Sequence, residues 1–275
     1  MSYDGSLAAD LGVSASADVI DARLPIAEYM IKTAGSMIVD CYHHTLRTPD
    51  YVAQLTKAIE ALAIKNILQM FPEDGYQGIQ VPGIESRNGI EWIVSPIDGI
   101  NNFVRGIPLM GTQLAIMSRG TLLYSSFYQP IWQEQTTARK GFGVQFHDYK
   151  NGQELSLKVS DRPVTDAMIA FDGVVAASDV SRQMMLVLSS RVNHFRVIGS
   201  ATHDFSLVAS GKLDGLAGVM VNPRDVLPGV LMVEEAGGIV TDIQGNPFTP
   251  QSRSVLASNT VIHQELLSIL NGGQA

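Results

Sequence analysis

The stretch WIVSPIDGINNF, from Trp92 to Phe103, decides the fold and raises the question of function. A short apolar run predicts a strand that stops at Ser95, and the Pro-Ile-Asp-Gly that follows predicts a tight turn. Many enzymes present a metal ligand on a turn of this kind, with one acid and a glycine after a strand. Here the strand ends at a serine, and the residue after Gly99 is Ile100. The stretch therefore raises the question of whether a metal site has lost its ligands.

The pattern around this stretch predicts a layered α/β sandwich. Apolar residues recur at helical spacing from Asp21 to Cys41 and from Tyr51 to Ile67, which predicts two amphipathic helices. Short β-rich runs then predict a largely antiparallel sheet, and after residue 160 strands and helices alternate. We expect a loose arm over 1–20 and a single domain over 21–275. Its first half (21–160) holds the helix pair and the sheet, and its second (161–275) is the α/β unit.

Composition excludes several classes of partner. The formal net charge is −8, so a basic face for nucleic acid or anionic membrane is not expected. No apolar run approaches the ~20 residues that a membrane span needs. Cys41 is the only cysteine, which fits a reducing compartment. We expect a cytoplasmic protein with no nucleic-acid or membrane partner.

Three segments together resemble the inositol monophosphatase family of metal-dependent, lithium-sensitive sugar-phosphate phosphatases. They are GIES followed by WIVSPIDGINNFVRGIP (83–86 and 92–108), GSATHDFSLVASGKLDG (199–215) and NPRDVLPGVLMVEEAGGIVTD (222–242). Their order and spacing fit the family over roughly residues 21 to 270. The resemblance implies a five-layered α-β-α-β-α sandwich and a homodimer.

The resemblance also implies a chemistry that this chain departs from. In the family, carboxylates from three loops hold magnesium ions that activate a water. The acids Glu85, Asp98 and Asp225 are kept at matching positions. At other positions this chain has a different residue from the family. Thr56 replaces an acid in the second helix, Ile84 replaces the first glutamate of a pair, and Ser95 replaces the aspartate that bridges two metal ions. Ile100 replaces the threonine that orients the water, Gly218 replaces a substrate-binding glutamate, and Arg224 replaces a tryptophan.

These departures predict a dismantled Mg²⁺ site and a repurposed pocket. Mg²⁺ is held mainly by charged oxygens, and Arg224 places a positive charge beside Asp225. We expect no metal or other cofactor, and a small anionic metabolite held by Arg224 as a clamp. The candidate catalytic residues are Asp98, Glu85, Asp225 and His203. The candidate substrate-binding residues are Arg224, Gly99, Asn101, Gly199, Ser200 and Ala201.

Each of these residues also has a structural interpretation. Asp98 fits a turn, Asp225 fits a helix N-cap, and His203 fits a surface or cap position. Arg224 could instead close a salt bridge with Asp225 or Glu85. Whether the chain is an enzyme at all stays open.

Two alternative functions also stay open. One is a weak Mg²⁺-dependent sugar or inositol phosphate monophosphatase that uses Glu85, Asp98, Asp225 and the Ile97 carbonyl. The other is a non-catalytic dimeric scaffold or a partner of an active relative.

Overall fold

Two long helices come early in the described part of the chain. The computed structural model of the protein describes residues 19–43, 47–173 and 178–272. Helix α1 (Leu24–Tyr42) and helix α2 (Pro49–Met70) each bury an apolar stripe, as their periodicity predicts. Thr48 caps α2 by accepting a hydrogen bond from the backbone N–H of Tyr51. Residues 1–18 of the predicted arm lie outside the described residues, and Ile20 is buried in the core, so the arm does not include it.

The first sheet has seven strands in sequence order. All neighbours are antiparallel except the first two, which are parallel. The strands are β1 (Gly75–Gln77), β2 (Ile90–Asp98), β3 (Gly111–Ser118), β4 (Thr121–Gln129), β5 (Glu134–Arg139), β6 (Gly143–Asp148) and β7 (Gln153–Leu157). This confirms the predicted antiparallel sheet, although β1, β7 and the short helix α3 (Ile100–Arg105) were not predicted.

The second half alternates strands and helices, as predicted, and forms a five-stranded sheet. A 3₁₀ turn (Val164–Asp166) leads into it. Its elements are β8 (Met168–Asp172), α4 (Asp179–Arg191), β9 (His194–Arg196), α5 (Ala201–Ala209), β10 (Gly215–Val219), α6 (Pro223–Glu235), β11 (Ile239–Thr241), β12 (Ser254–Ser258) and α7 (His263–Leu270). The strands lie in the order β11-β12-β10-β8-β9. Strand β12, antiparallel to β10 and β11, was not predicted.

The layers stack as α-β-α-β-α. Helices α1 and α2 cover one face of the first sheet, and α5 and α6 fill the space between the two sheets. Helices α4 and α7 cover the outer face of the second sheet. This arrangement confirms the five-layered sandwich. It also brings the ends of β2 and β8 to the starts of α5 and α6, where the candidate residues lie.

Membrane insertion through a helix finds no support in the fold. None of the helices within 19–43, 47–173 and 178–272 combines the length and the apolar character that crossing a bilayer requires.

Candidate functional site

Three carboxylates from different elements line one cavity of about 300 Å³. Asp98 ends β2, Asp172 ends β8 and Asp225 lies in the first turn of α6. The main chain turns at each of these points, so the side chains converge although they are far apart in sequence. The lining residues are Asp98, Asp172, Gly173, Ala201, Val219, Met220, Val221, Asn222, Asp225 and Val226.

Asp98 holds the start of α5 in place. Its Oδ2 accepts hydrogen bonds from the Ser200 hydroxyl at 2.5 Å and the Thr202 backbone N–H at 2.8 Å. Gly99, which follows it, has a φ of +74°, and a Cβ there would lie 2.6 Å from the Leu109 carbonyl oxygen. Gly99 is therefore required by the turn itself. Asp98 thus does more than form the turn, because it joins the β2 turn to the helix.

His203 lies behind Ser200. Its Nδ1 is 2.9 Å from the Ser200 Oγ. Since the Ser200 hydroxyl donates to Asp98, its oxygen is left to accept from Nδ1–H, which makes His203 the Nδ1–H tautomer. Burial lowers the pKa of His203 to about 4, against an opposing effect of Asp98, so the ring is neutral near pH 7. The prediction of a surface position is wrong, because His203 is only 6% exposed.

Burial, together with repulsion among the acids, raises two carboxyl pKa values towards neutrality. Burial, followed by the charges of Asp98 and Asp225, raises the pKa of Asp172 to about 7. Burial and Asp98 raise the pKa of Asp225 to about 6, and nearby Ser95, Asn222 and Arg224 partly offset this rise. Both groups can therefore exchange a proton near physiological pH.

A fourth acid lies in α5. Asp204 is fully buried, and both of its carboxylate oxygens lack a hydrogen-bond partner within the described residues. Burial, then Asp172 and Asp98, raise its pKa well above the ordinary value. Burial therefore favours the neutral carboxylic acid form of Asp204 over the carboxylate.

The start of α6 differs from expectation. Asn222 is the N-cap, since its side chain accepts the Arg224 backbone N–H at 3.2 Å, so the prediction that Asp225 caps the helix is wrong. The Arg224 guanidinium donates from Nη1 to the Gly78 carbonyl at 2.5 Å. Among the described residues it forms no ion pair within 4 Å, so the predicted salt bridge with Asp225 or Glu85 is also wrong.

The loop that leads to Ile84 and Glu85, where the resemblance expects paired glutamates, is anchored by α2 and does not line the cavity. Glu60 of α2 is buried and accepts the backbone N–H groups of residues 79–81 at 2.5 to 3.1 Å. Ile84 pairs with Tyr76 and packs against the core. Glu85 is exposed and is not among the lining residues. The structure therefore does not bring Glu85 to Asp98 and Asp225.

The other departures from the family pattern do not supply metal ligands. The Ser95 hydroxyl is buried near Asp225 without reaching hydrogen-bonding geometry, and the Thr56 hydroxyl donates to the Val52 carbonyl at 2.8 Å. Ile100 is 41% exposed. In the part of the chain that the structure describes, no group of three or more His, Cys, Asp and Glu side chains is arranged to hold a metal ion.

The remaining candidates frame the entrance to α5. Ala201 lines the cavity, and Ser200 is buried as the N-cap. Gly199 has a φ of +75°, and the Asn102 amide donates to its carbonyl at 3.3 Å. Asn101 is exposed and lies outside the lining, with its backbone carbonyl accepting from Arg105.

The α-β-α-β-α fold, with acids that converge between its sheets, defines a class of layered α/β sandwich, and comparison with known proteins identifies the family. A family model described as the inositol monophosphatase family matches residues 18–274. The chain therefore belongs to the inositol monophosphatase family.

The relatives cover nearly the whole chain. It is 28% identical over 255 residues to a Thermotoga maritima protein named fructose-1,6-bisphosphatase/inositol-1-monophosphatase, covering 90% of this chain and 96% of that one. It is 30% identical over 257 residues to the Pasteurella multocida Nus factor SuhB, covering 89% and 94%. The structure of the Bartonella henselae extragenic suppressor protein suhB matches with a TM-score of 0.80 and 28% identity, over 90% of this chain and 98% of that chain.

The sequence patterns missed Asp172 and Asp204. Asp172 had a usable signal, because it ends a buried strand and precedes a glycine, as Asp98 does. Asp204 had none, since an acid in the first turn of a helix is ordinary.

Proposed function

We propose that this family member does not work as a Mg²⁺-dependent phosphatase and that its pocket serves a small metabolite without a metal ion. The supporting observation is the set of oxygen atoms that could bind a metal ion. Oδ2 of Asp98 already accepts hydrogen bonds from the start of α5. Ser95 has a neutral hydroxyl, and Glu85 does not line the cavity. Mg²⁺ requires charged oxygens in near-octahedral geometry, and this arrangement does not fit it.

The acids that remain suit proton transfer without a metal. The pKa values of Asp172 and Asp225, about 7 and about 6, are raised by burial and by neighbouring carboxylates. A group whose pKa lies near the working pH is an efficient general acid or base. Asp172 and Asp225 can therefore form an acid/base pair across the cavity.

The ligand that we propose carries both hydroxyl groups and an anionic group. Carboxylates of Asp98 and Asp225 accept hydrogen bonds from hydroxyls. An anionic group would bind beside the cavity at Arg224, which does not line it but lies between the lining residues Asn222 and Asp225 in the first turn of α6, where the helix dipole also favours negative charge. Names of relatives refer to inositol and fructose phosphates, which are hydroxyl-rich, and this agrees with the proposal.

A weak Mg²⁺-dependent phosphatase is the second candidate. One observation favours it: Asp98, Asp172 and Asp225 repel one another around the cavity, and a divalent cation would relieve that repulsion.

Phosphate release separates the two candidates. Inositol 1-phosphate and fructose 1,6-bisphosphate are incubated with the protein with and without Mg²⁺. We expect no Mg²⁺-dependent release from the wild type, and the same result for Asp98→Asn. Turnover that requires Mg²⁺ and is abolished by Asp98→Asn would establish the second candidate instead.

Restoring a lost ligand provides a positive test. Ser95→Asp returns a carboxylate to the position beside Asp225 and is expected to create calorimetrically detectable Mg²⁺ binding. The matched control Ser156→Asp adds the same charge on exposed β7 and should bind none. Equal Mg²⁺ binding by the wild type and Ser95→Asp would refute the claim that this position matters.

A further inference from the structure

A second cavity, of about 330 Å³, opens on the α1 side of the first sheet. It shares no lining residue with the Asp98 cavity. Its volume is within the range of small-molecule sites. It is lined by Leu24, Glu28, Tyr124, Gln135, Thr137, Arg139, Phe142, Gly143, Gln145, His147 and Tyr149.

The floor of this cavity is built by the register of β5 and β6. Gln135 pairs with His147, and Thr137 pairs with Gln145. Alternate residues of a strand point to the same face, so these four side chains stand side by side beyond the edge of α1. The floor therefore offers the Gln145 amide, the Thr137 hydroxyl and the His147 imidazole. The buried Gln135 amide is already hydrogen-bonded to Glu28, Ser126 and Tyr149.

Planar groups stand at the two ends of the floor. The His147 ring stacks on Tyr149 with centroids 5.9 Å apart and an interplanar angle of 13°. At the other end, the Arg139 guanidinium lies 4.3 Å from the Phe142 ring centroid. The two ends are four residues apart along β5, about 13 Å. That separation leaves room for a single ring.

The charged side chains Glu28 and Arg139 of the cavity lining already have hydrogen-bond or ion-pair partners. Glu28 accepts hydrogen bonds from the Tyr124 hydroxyl at 2.8 Å and the Gln135 amide at 2.9 Å. Arg139 pairs with Asp21 at 2.7 Å. A ligand here therefore needs no net charge. The Nδ1 atom of His147 is buried and closed to a ligand, which leaves Nε2, 3.7 Å from a Glu154 carboxylate oxygen, as the ring nitrogen that can bind one.

We propose that this cavity is a second binding site, for a neutral sugar or cyclitol ring. The ring hydroxyls bind Gln145, Thr137 and His147, each of which has a side chain able to donate or accept. The carbon-bound hydrogens of the ring pack on the planar end groups, and no ion pair has to be broken.

Saturation-transfer NMR on the full chain tests the proposal, with methyl α-glucoside, methyl α-mannoside, methyl β-galactoside and myo-inositol as probes. We expect at least one of them to bind the wild type. Gln145→Leu and His147→Phe should each weaken that binding at least about tenfold. The matched control Gln153→Leu, at an exposed position on β7 outside the lining, should not.

Asp98→Asn distinguishes this site from the Asp98 cavity, and binding should survive it. Three results would overturn the proposal: no transfer to any of the four probes, binding that Gln145→Leu and His147→Phe leave unchanged, or binding that Asp98→Asn abolishes.

Discussion

Asp172 is a residue whose ionisation costs the folded state stability. Its pKa rises from 3.8 in its ordinary state to about 7 because of burial and then the charges of Asp98 and Asp225. A raised folded-state pKa means that stability is full below about pH 4 and falls as pH rises to about 7. Asp172→Asn removes this loss. We expect its free energy of unfolding at pH 8 to exceed that of the wild type by at least about 1 kcal/mol.

Urea unfolding at pH 4, 6 and 8 measures this difference, which should grow with pH. Asp214→Asn is the contrast, since Asp214 is also buried but accepts hydrogen bonds from Ser160, Arg162 and the Met168 backbone. That substitution should destabilise the protein. A pH-independent effect of Asp172→Asn would mean that Asp172 does not ionise in the folded protein.

Arg224 is the residue on which anion binding depends in the proposed function. Its guanidinium uses Nη1 on the Gly78 carbonyl, which fixes the side chain near Asp225. We expect Arg224→Ala to weaken binding of phosphate or a phosphorylated metabolite by at least ~1.5 kcal/mol, typical of a charge-assisted hydrogen bond. Thermal shift with a metabolite panel, followed by calorimetry with inorganic phosphate, measures this.

Arg253→Ala is the matched control for Arg224. Arg253 is exposed and likewise donates to backbone carbonyls, those of Gln251 and Ser252. If both variants respond to anions as the wild type does, the clamp hypothesis fails and a scaffold role gains support.

At the scale of elements, α2 and α6 together fix the loop that follows β1. Glu60 of α2 binds three successive backbone N–H groups, and Arg224 of α6 binds the Gly78 carbonyl. A Cβ on Gly78 would lie 2.7 Å from the Tyr76 hydroxyl, so the loop packs tightly on this anchor. The loop position is therefore set by contacts from two helices.

Glu60→Gln tests this anchor. A neutral amide accepts fewer and weaker hydrogen bonds than a carboxylate, so we expect a loss of about 1–3 kcal/mol in stability. Hydrogen exchange should become faster at residues 79–81 while the sheet stays protected. Glu73→Gln, at an exposed position after α2, should change neither property. Unchanged exchange at 79–81 in Glu60→Gln would show that the carboxylate does not hold the loop.

The elements also show what sequence can predict. Long periodic segments and the strand–turn–helix order were visible because burial repeats at the period of the element. The missed strand β1 has only three residues, and β7 has one face and one edge exposed, so neither has a clear apolar alternation. The short α3 was hidden inside a turn-like sequence.

At the scale of the whole molecule, the site was only partly predictable. Asp98 and Asp225 were found because the segments that contain them resemble the family's motifs. Asp172 reaches the cavity through the pairing of β8 with β10, and the loop before Glu85 is held by Glu60 and Arg224. Such long-range packing leaves no local signal. The predicted N-cap at Asp225 was wrong because Asn222 competes for the same role three residues earlier.

Assembly is the last property to predict, and we expect a homodimer. Its apolar surface supports this expectation: Val180 and Leu186 on α4 and Val197 after β9 are 55%, 67% and 54% exposed. Covering such side chains favours association.

Light scattering coupled to chromatography should give about twice the chain mass of 29.7 kDa. Leu186→Asp should shift the protein towards monomer, whereas Phe142→Asp, at a residue 59% exposed on the β5–β6 turn, should leave the dimer intact. A monomeric wild type would exclude the dimer without affecting the fold, and a dimer that tolerates Leu186→Asp would place the interface elsewhere.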